Sequence, residues 1–200
     1  MKFNSIIALL LVIMYISSFT SCSNVTNTTQ SQGSEIAKMS QYQKSLVEEG
    51  WYFPKIKPTG ELPIEYGVKN KYGQQDNYFD IEIGKGCDVA IKIMDESTDR
   101  CIRYVLVPEN SNVNIQMIPQ GRYYLKLAYG KDWMEKDNDD GKIKAKFTQM
   151  ASYDRSVDIF DFGKKNSSQI VSYILQINIE DSELQHNFGT VEISEEEFLK

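Results

Sequence analysis

From residue 77 to residue 129 the chain alternates apolar and polar side chains with a period of two, in short runs split by turn-forming clusters. That is the pattern of strands with one buried face. NYFDIEIG sets Phe79, Ile81 and Ile83 against Tyr78, Asp80 and Glu82, and CDVAIKIM sets Val89, Ile91 and Ile93 against Ala90 and Lys92. After the polar DESTD the pattern returns in RCIRYVLV, and NVNIQMI sets Val113, Ile115 and Met117 against Asn112, Asn114 and Gln116. SYILQINIE repeats the alternation late in the chain, with Tyr173, Leu175, Ile177 and Ile179 on one face. About eight such strands joined by short turns predict an all-β, antiparallel sandwich over 51–200, which they fit better than any βαβ arrangement.

The stretch IPQGRYYLKLAYGKDW, residues 118–133, is the most regular of these. Pro119 and Gly121 suit a tight turn continued into a bulge. Beyond them Tyr123, Leu125, Leu127 and Tyr129 share one face, opposed by Arg122, Tyr124 and Lys126. A hairpin closed at 118–121 would lay that row beside Val113, Ile115 and Met117. The succession DVAIKIM, CIRYVLV and NVNIQMIPQGRYYLKLAYGKDW resembles a group of uncharacterised bacterial lipoproteins from roughly Trp51 onward. Over residues 88–129 its Pro-x-Gly-x-Tyr portion is similar to the carboxypeptidase regulatory-like and transthyretin-like sandwiches. The resemblance implies an Ig-like or prealbumin-like accessory domain without catalysis.

Ahead of the strands the chain changes character three times. Lys2, the apolar run Ile6–Ile16 and the small polar SSFTS have the order of a secretory signal peptide over 1–21, too short to span a bilayer. FTSC, ending at Cys22, resembles a lipobox, at which bacterial processing attaches diacylglycerol to the cysteine, although Phe19 stands where leucine is usual. The competing reading is a soluble secreted protein cut nearby. Ser23 in place of aspartate implies the outer membrane by the same resemblance. Residues 22–34 are polar and low in apolar side chains, a flexible tether. Within 35–50, Ile36, Met39, Tyr42 and Leu46 recur at helical spacing and Gly50 follows as a C-cap, so a short amphipathic helix is expected.

Removing the leader leaves roughly 180 residues, the size of one domain. The net charge of −6 becomes one unit more negative with the loss of Lys2, and no basic footprint for nucleic acid is present.

Candidate chemistry is sparse. Cys87 and Cys101 form an even pair, but a hairpin turning at DESTD places Cys101 opposite Ile93 and about 20 Å from Cys87. A disulfide needs Cα atoms within about 7 Å, so two reduced, buried thiols are expected. His186 is the single histidine and reads as a surface residue in a polar connection; alone it supports neither a metal site nor nucleophilic catalysis. IGKGCD lacks the spacing of a phosphate loop, and KDNDDG, residues 136–141, reads as a solvated hairpin tip rather than a calcium loop. No cofactor is called for. In ISEEEFLK, Ser194 and Glu197 have the form of a capping box, with one helical turn expected.

What remains is an aromatic set: Trp51, Tyr52 and Phe53, together with Trp133. The stronger reading is that both tryptophans close the ends of the core, since large aromatics are rarely left exposed. The other makes Trp51, Tyr52 and Trp133 a ligand-binding surface that stacks on a sugar or an apolar partner. The sequence therefore leads to a lipid-anchored, non-catalytic envelope protein. It either docks other envelope proteins or acts as a carbohydrate-binding surface module.

Overall fold

A computed structural model describes residues 38–163, 170–180 and 183–200. Cys22, the leader, the tether and the first residues of the expected helix lie outside the described residues. Ser40–Lys200 makes up one compact unit. Its strands are β1 (Gly60–Glu61), β2 (Tyr78–Ile83), β3 (Asp88–Asp95), β4 (Arg100–Val107), β5 (Ser111–Gln116) and β6 (Arg122–Asp137). They continue with β7 (Ile143–Ser156), β8 (Phe160–Asp161), β9 (Tyr173–Glu180), β10 (Glu183–His186) and β11 (Thr190–Glu192). Helix α1 spans Gln41–Glu48 and α2 spans Glu195–Leu199, with a 3-10 turn at Ile64–Tyr66.

The fold is an all-β sandwich. One sheet has the order β1-β4-β3-β6-β7-β11 with β8 added to β6, and the other has the order β10-β9-β2-β5. Pairing is antiparallel throughout except between β2 and β9, which run parallel. Between the sheets lies an aliphatic core in which Phe79, Ile81, Val89, Ile91, Ile93, Leu125 and Leu127 are fully enclosed. The alternation in β2, β3 and β9 points these rows inward.

The expected 118–121 hairpin does not form. β5 pairs with β2, whereas β6 pairs with β3, so the connection carries the chain from one sheet to the other. Local bonding explains the crossing. Met117 adopts a left-handed backbone with φ 57°. Its N–H donates to the Asn77 carbonyl at 2.9 Å, and its carbonyl accepts from Gly73 N at 2.6 Å and Arg103 Nη2 at 3.4 Å. Ile118 is then driven into the core while its carbonyl accepts from Asn77 Nδ2 at 2.9 Å. Met117, expected inside, is therefore exposed, and the apolar rows of β5 and β6 meet across the core instead of side by side.

Two bulges shift the remaining register. One between Ile93 and Met94 puts Cys101 opposite Met94, not Ile93 as expected, with Arg103 opposite Ile93. The other, between Tyr129 and Lys131, sets one residue of β6, Gly130, against two of β7, Met150 and Ala151; a Cβ on Gly130 would stand 2.5 Å from the Phe147 Cβ. This irregularity, with the left-handed backbone of Asp132 (φ 57°) just beyond it, breaks the alternation of β6. Trp133 thus leaves the row of Tyr129 and joins a second cluster, with Ala128, Phe147 and Tyr104, on the outer face of the larger sheet.

That outer face is also buried, which alternation alone did not anticipate: Tyr124 and Lys126, expected opposite the core, are 4% and 5% exposed. Helix α1 helps to cover it. Ser40 and Gln43 form a reciprocal capping box, and Gln43 Nε2 reaches on to Asp132 Oδ2 at 2.8 Å and Thr148 Oγ1 at 3.0 Å. The buried side chains of α1 are Gln43 and Leu46, while Tyr42 stays exposed. Gly50 closes the helix with φ 91°.

Candidate functional site

The aromatic residues singled out in the sequence gather around the far end of the β6–β7 hairpin, but in different environments. The Tyr52 main chain exchanges two hydrogen bonds with Glu135, at 2.8 and 2.9 Å, and brings Trp51–Phe53 alongside β6. The Tyr52 hydroxyl donates to Asp137 Oδ1 at 2.9 Å, and its ring is partly exposed. Burial and then that bond push the phenol up to about 12. Trp51 is half-buried, with Lys146 Nζ 5.0 Å above its ring.

Trp133 is 3% exposed and cannot stack on a ligand. Its indole packs edge-on against Phe147 at 5.0 Å, and Nε1 donates to Glu135 Oε1 at 3.0 Å. The Tyr66 hydroxyl donates to the same oxygen at 2.6 Å. A buried carboxylate is tolerated only with such partners. Burial and the Glu135 bond hold the Tyr66 phenol far above its usual range. Trp133 is therefore withdrawn as a binding aromatic.

Trp51, Tyr66, Tyr104, Lys92, Lys146 and Glu195 line a cleft of about 300 Å³ on the outer face, between the 3-10 turn, β7 and α2. Three of the four lysines that line it, Lys92, Lys142 and Lys146, are engaged, and the fourth, Lys144, is exposed. Lys146 lies 3.6 Å from Glu195 and donates to the Tyr42 hydroxyl at 2.8 Å; burial pulls its ammonium down, but these two partners outweigh it and leave it raised. Lys142 pairs with Asp140 at 2.8 Å. The cleft can hold a ring against Trp51, with Lys144 as the exposed lysine on its wall.

His186 is not the surface residue expected. It sits on β10 with its side chain 8% exposed, and Nε2 lies 2.8 Å from the Tyr129 hydroxyl and 4.0 Å from Asp154 Oδ2. The ring thereby ties the edge of the smaller sheet to β6 and β7 of the larger one. Burial lowers its pKa, against the pull of Asp154. Both thiols are free. Burial pushes Cys87 and Cys101 each up to about 11, although Lys92 and Lys126 draw Cys101 the other way. Among the described residues no three His, Cys, Asp or Glu side chains converge as metal ligands, and no helix is long and apolar enough to cross a membrane.

A feature missed in the sequence is the outer edge of β5. This strand ends the smaller sheet and has β2 as its one strand partner among the described residues. Six residues long, it reads SNVNIQ, with Asn112, Asn114 and Gln116 exposed and no charge or proline. The signal was legible as an uncharged strand, but nothing in a single sequence says which strands become edges. The other sheet ends are shorter: β1 has two residues, β10 four and β11 three. No family model matches the chain, and no curated protein or solved structure compared with it is a match.

Proposed function

We propose that the chain is a lipid-anchored protein of the outer membrane whose sandwich is a non-catalytic docking module, and that it receives a strand of another envelope protein along β5. The observation that carries this reading is the unguarded edge. A long strand with free N–H and C=O groups pairs with any extended segment, and proteins ordinarily blunt such edges with lysine, proline, bulges or short length. β5 has none of these over its six residues. Strand addition would supply main-chain affinity, with Val113 and the alternating asparagines setting the register. The non-catalytic reading is supported by the two protonated thiols and by a histidine engaged between the sheets.

The anchor rests on the order of regions ahead of Cys22 and on FTSC. Metabolic labelling with an alkyne fatty acid should mark the wild type and not Cys22→Ala; equal labelling removes the anchor. For docking, the test is crosslinking in intact cells followed by capture and mass spectrometry, comparing the wild type with Asn112→Lys/Asn114→Lys. Both side chains are exposed, so the charges enter the edge without disturbing the core. One recurrent envelope protein, captured by the wild type and lost from the double variant, supports strand addition. Equal capture by both moves the interface elsewhere, and capture of the protein alone sinks the docking reading and sends Trp51→Ala to a glycan-binding assay.

A further inference from the structure

On the outer face of the larger sheet, two lysines stand where the register gives them no relief. Lys92 on β3 is directly opposite Lys126 on β6, and they are 8% and 5% exposed. Like charges facing each other in a sheet repel, and a buried ammonium is costly unless its protons are received. Helix α2 receives them. Lys92 Nζ donates to the Phe198 carbonyl at 2.8 Å and the Leu199 carbonyl at 3.4 Å, while Lys126 Nζ donates to the Glu197 carbonyl at 2.8 Å. These carbonyls belong to the last turn of a helix, which lacks internal donors and carries the negative end of the dipole.

The same segment inserts an anchor. Phe198 is 2% exposed, its ring centroid 5.6 Å from that of Tyr153 and 6.2 Å from that of Tyr104, with Lys92 Nζ 4.9 Å above its face. Ala90 and Ala128, opposite each other in the sheet, belong to the same cluster and leave depth for the ring. Glu195 then meets Lys146 at the rim, and the Ser194 hydroxyl accepts from Glu197 N at 3.1 Å to cap the turn. Anchor, carbonyl acceptors and rim carboxylate all reside within ISEEEFLK, residues 193–200.

We propose that this face is a peptide-recognition groove, that residues 193–200 are its resident ligand, and that it accepts the same segment from a second copy of this chain. A helix of five residues cannot sustain itself in water, so α2 exists as a helix only while docked. The segment is held to the rest of the chain by three residues of β11 on β7. Its release is therefore a local opening and not global unfolding. Exchange between two copies conserves every contact described above, the condition under which swapping is cheap. The groove selects its occupant by a phenylalanine flanked by helix-end carbonyls, those of Glu197, Phe198 and Leu199, with the Glu195 carboxylate one turn earlier.

The test uses full-length protein carrying Phe198→Ala, whose own segment has lost its anchor, and a fluorescein-labelled peptide TVEISEEEFLK read by anisotropy. Saturable binding at least tenfold tighter than to the wild type, abolished when Lys126→Glu is added, is the expected result. Absence of saturable binding, equal affinity for the wild type, or binding that survives Lys126→Glu overturns it. Amide exchange in the wild type gives a readout independent of any variant's folding. The Phe198 and Lys200 amides should exchange at least tenfold faster than those of β3 and β6; exchange in step with those strands would show that the segment never leaves.

Discussion

The two faces of the larger sheet are buried to similar depth by different means. On the inner face, Val89, Ile91, Ile93, Leu125 and Leu127 meet Phe79, Ile81 and Leu175 as hydrocarbon and aromatic rings, the charged exception being Arg103, fully buried opposite Ile93 and paired with Glu61 at 3.0 Å. The outer face of the same strands presents Ala90, Lys92, Tyr104, Lys126 and Ala128 and is closed by Leu62, Val68, Phe198 and the Trp133–Phe147 pair. Hydrocarbon burial is non-directional and proportional to area, so the inner face tolerates repacking at constant volume. The outer face depends on aimed bonds: Trp133 and Tyr66 to Glu135, Lys92 and Lys126 to α2, Gln43 to Asp132 and Thr148. One sheet thus carries a core that supplies cohesion and another that specifies which segments may sit on it.

Substitutions can break this contrast in graded steps. Leu125→Ala removes a fully enclosed inner side chain and should cost about 2–5 kcal/mol by denaturant titration, with the whole domain unfolding as one transition. A loss well under that range would show that the inner face collapses around the gap. Trp133→Phe keeps a ring against Phe147 but withdraws the indole donor from Glu135, and should cost about 1–3 kcal/mol at pH 7. If it proves neutral, the directional account of the outer face fails.

His186 joins the two sheets and titrates between them. Its folded pKa is depressed, so the unfolded chain takes up a proton that the folded chain resists. Its contribution is full above about pH 6.5 and is lost as the pH falls below that value. One proton limits the slope to about 1.4 kcal/mol per pH unit, and Asp154 reduces it further. Denaturation at pH 7.5 and 5.5 should show the wild type losing stability and His186→Gln losing less; parallel slopes would dismiss the histidine as the cause. Trp51→Ala, at the half-exposed rim, should shift stability by roughly 0.5 kcal/mol, and a larger loss would place that ring in the outer core after all.

Sequence reading went furthest where one face of a strand decides its fate. The inward rows of β2, β3 and β9 were legible because a period of two is set by the backbone itself. The partner of each row was not. Ile115 and Leu125 are apolar whether their strands lie side by side or on opposing sheets, and only the bonds at Met117 decide between the two. Trp133 was placed among the binding candidates because the irregularity beyond Tyr129, past which it joins the outer cluster, has its extra residue on the partner strand β7 and leaves no mark in the stretch around Trp133 itself. His186 looked solitary because Tyr129 and Asp154, its neighbours in space, lie on other strands. The Ser40–Gln43 capping box was readable and went unread.

The parallel pairing of β2 with β9 dictates the order in which the molecule can be assembled. Phe79 aligns with Tyr173 and Ile83 with Ile177, so nearly half the chain must be made between the two partners. The β3–β4 hairpin closes locally, and β6 with β7 soon after, but β2 can pair with β5 on one side while its other edge waits. Contacts at such separation form late and slowly. During synthesis, the Phe79–Ile81 row stays without its second cover until the ninth strand arrives. That interval, more than any feature of the finished fold, is when the chain is open to mispairing with a neighbour.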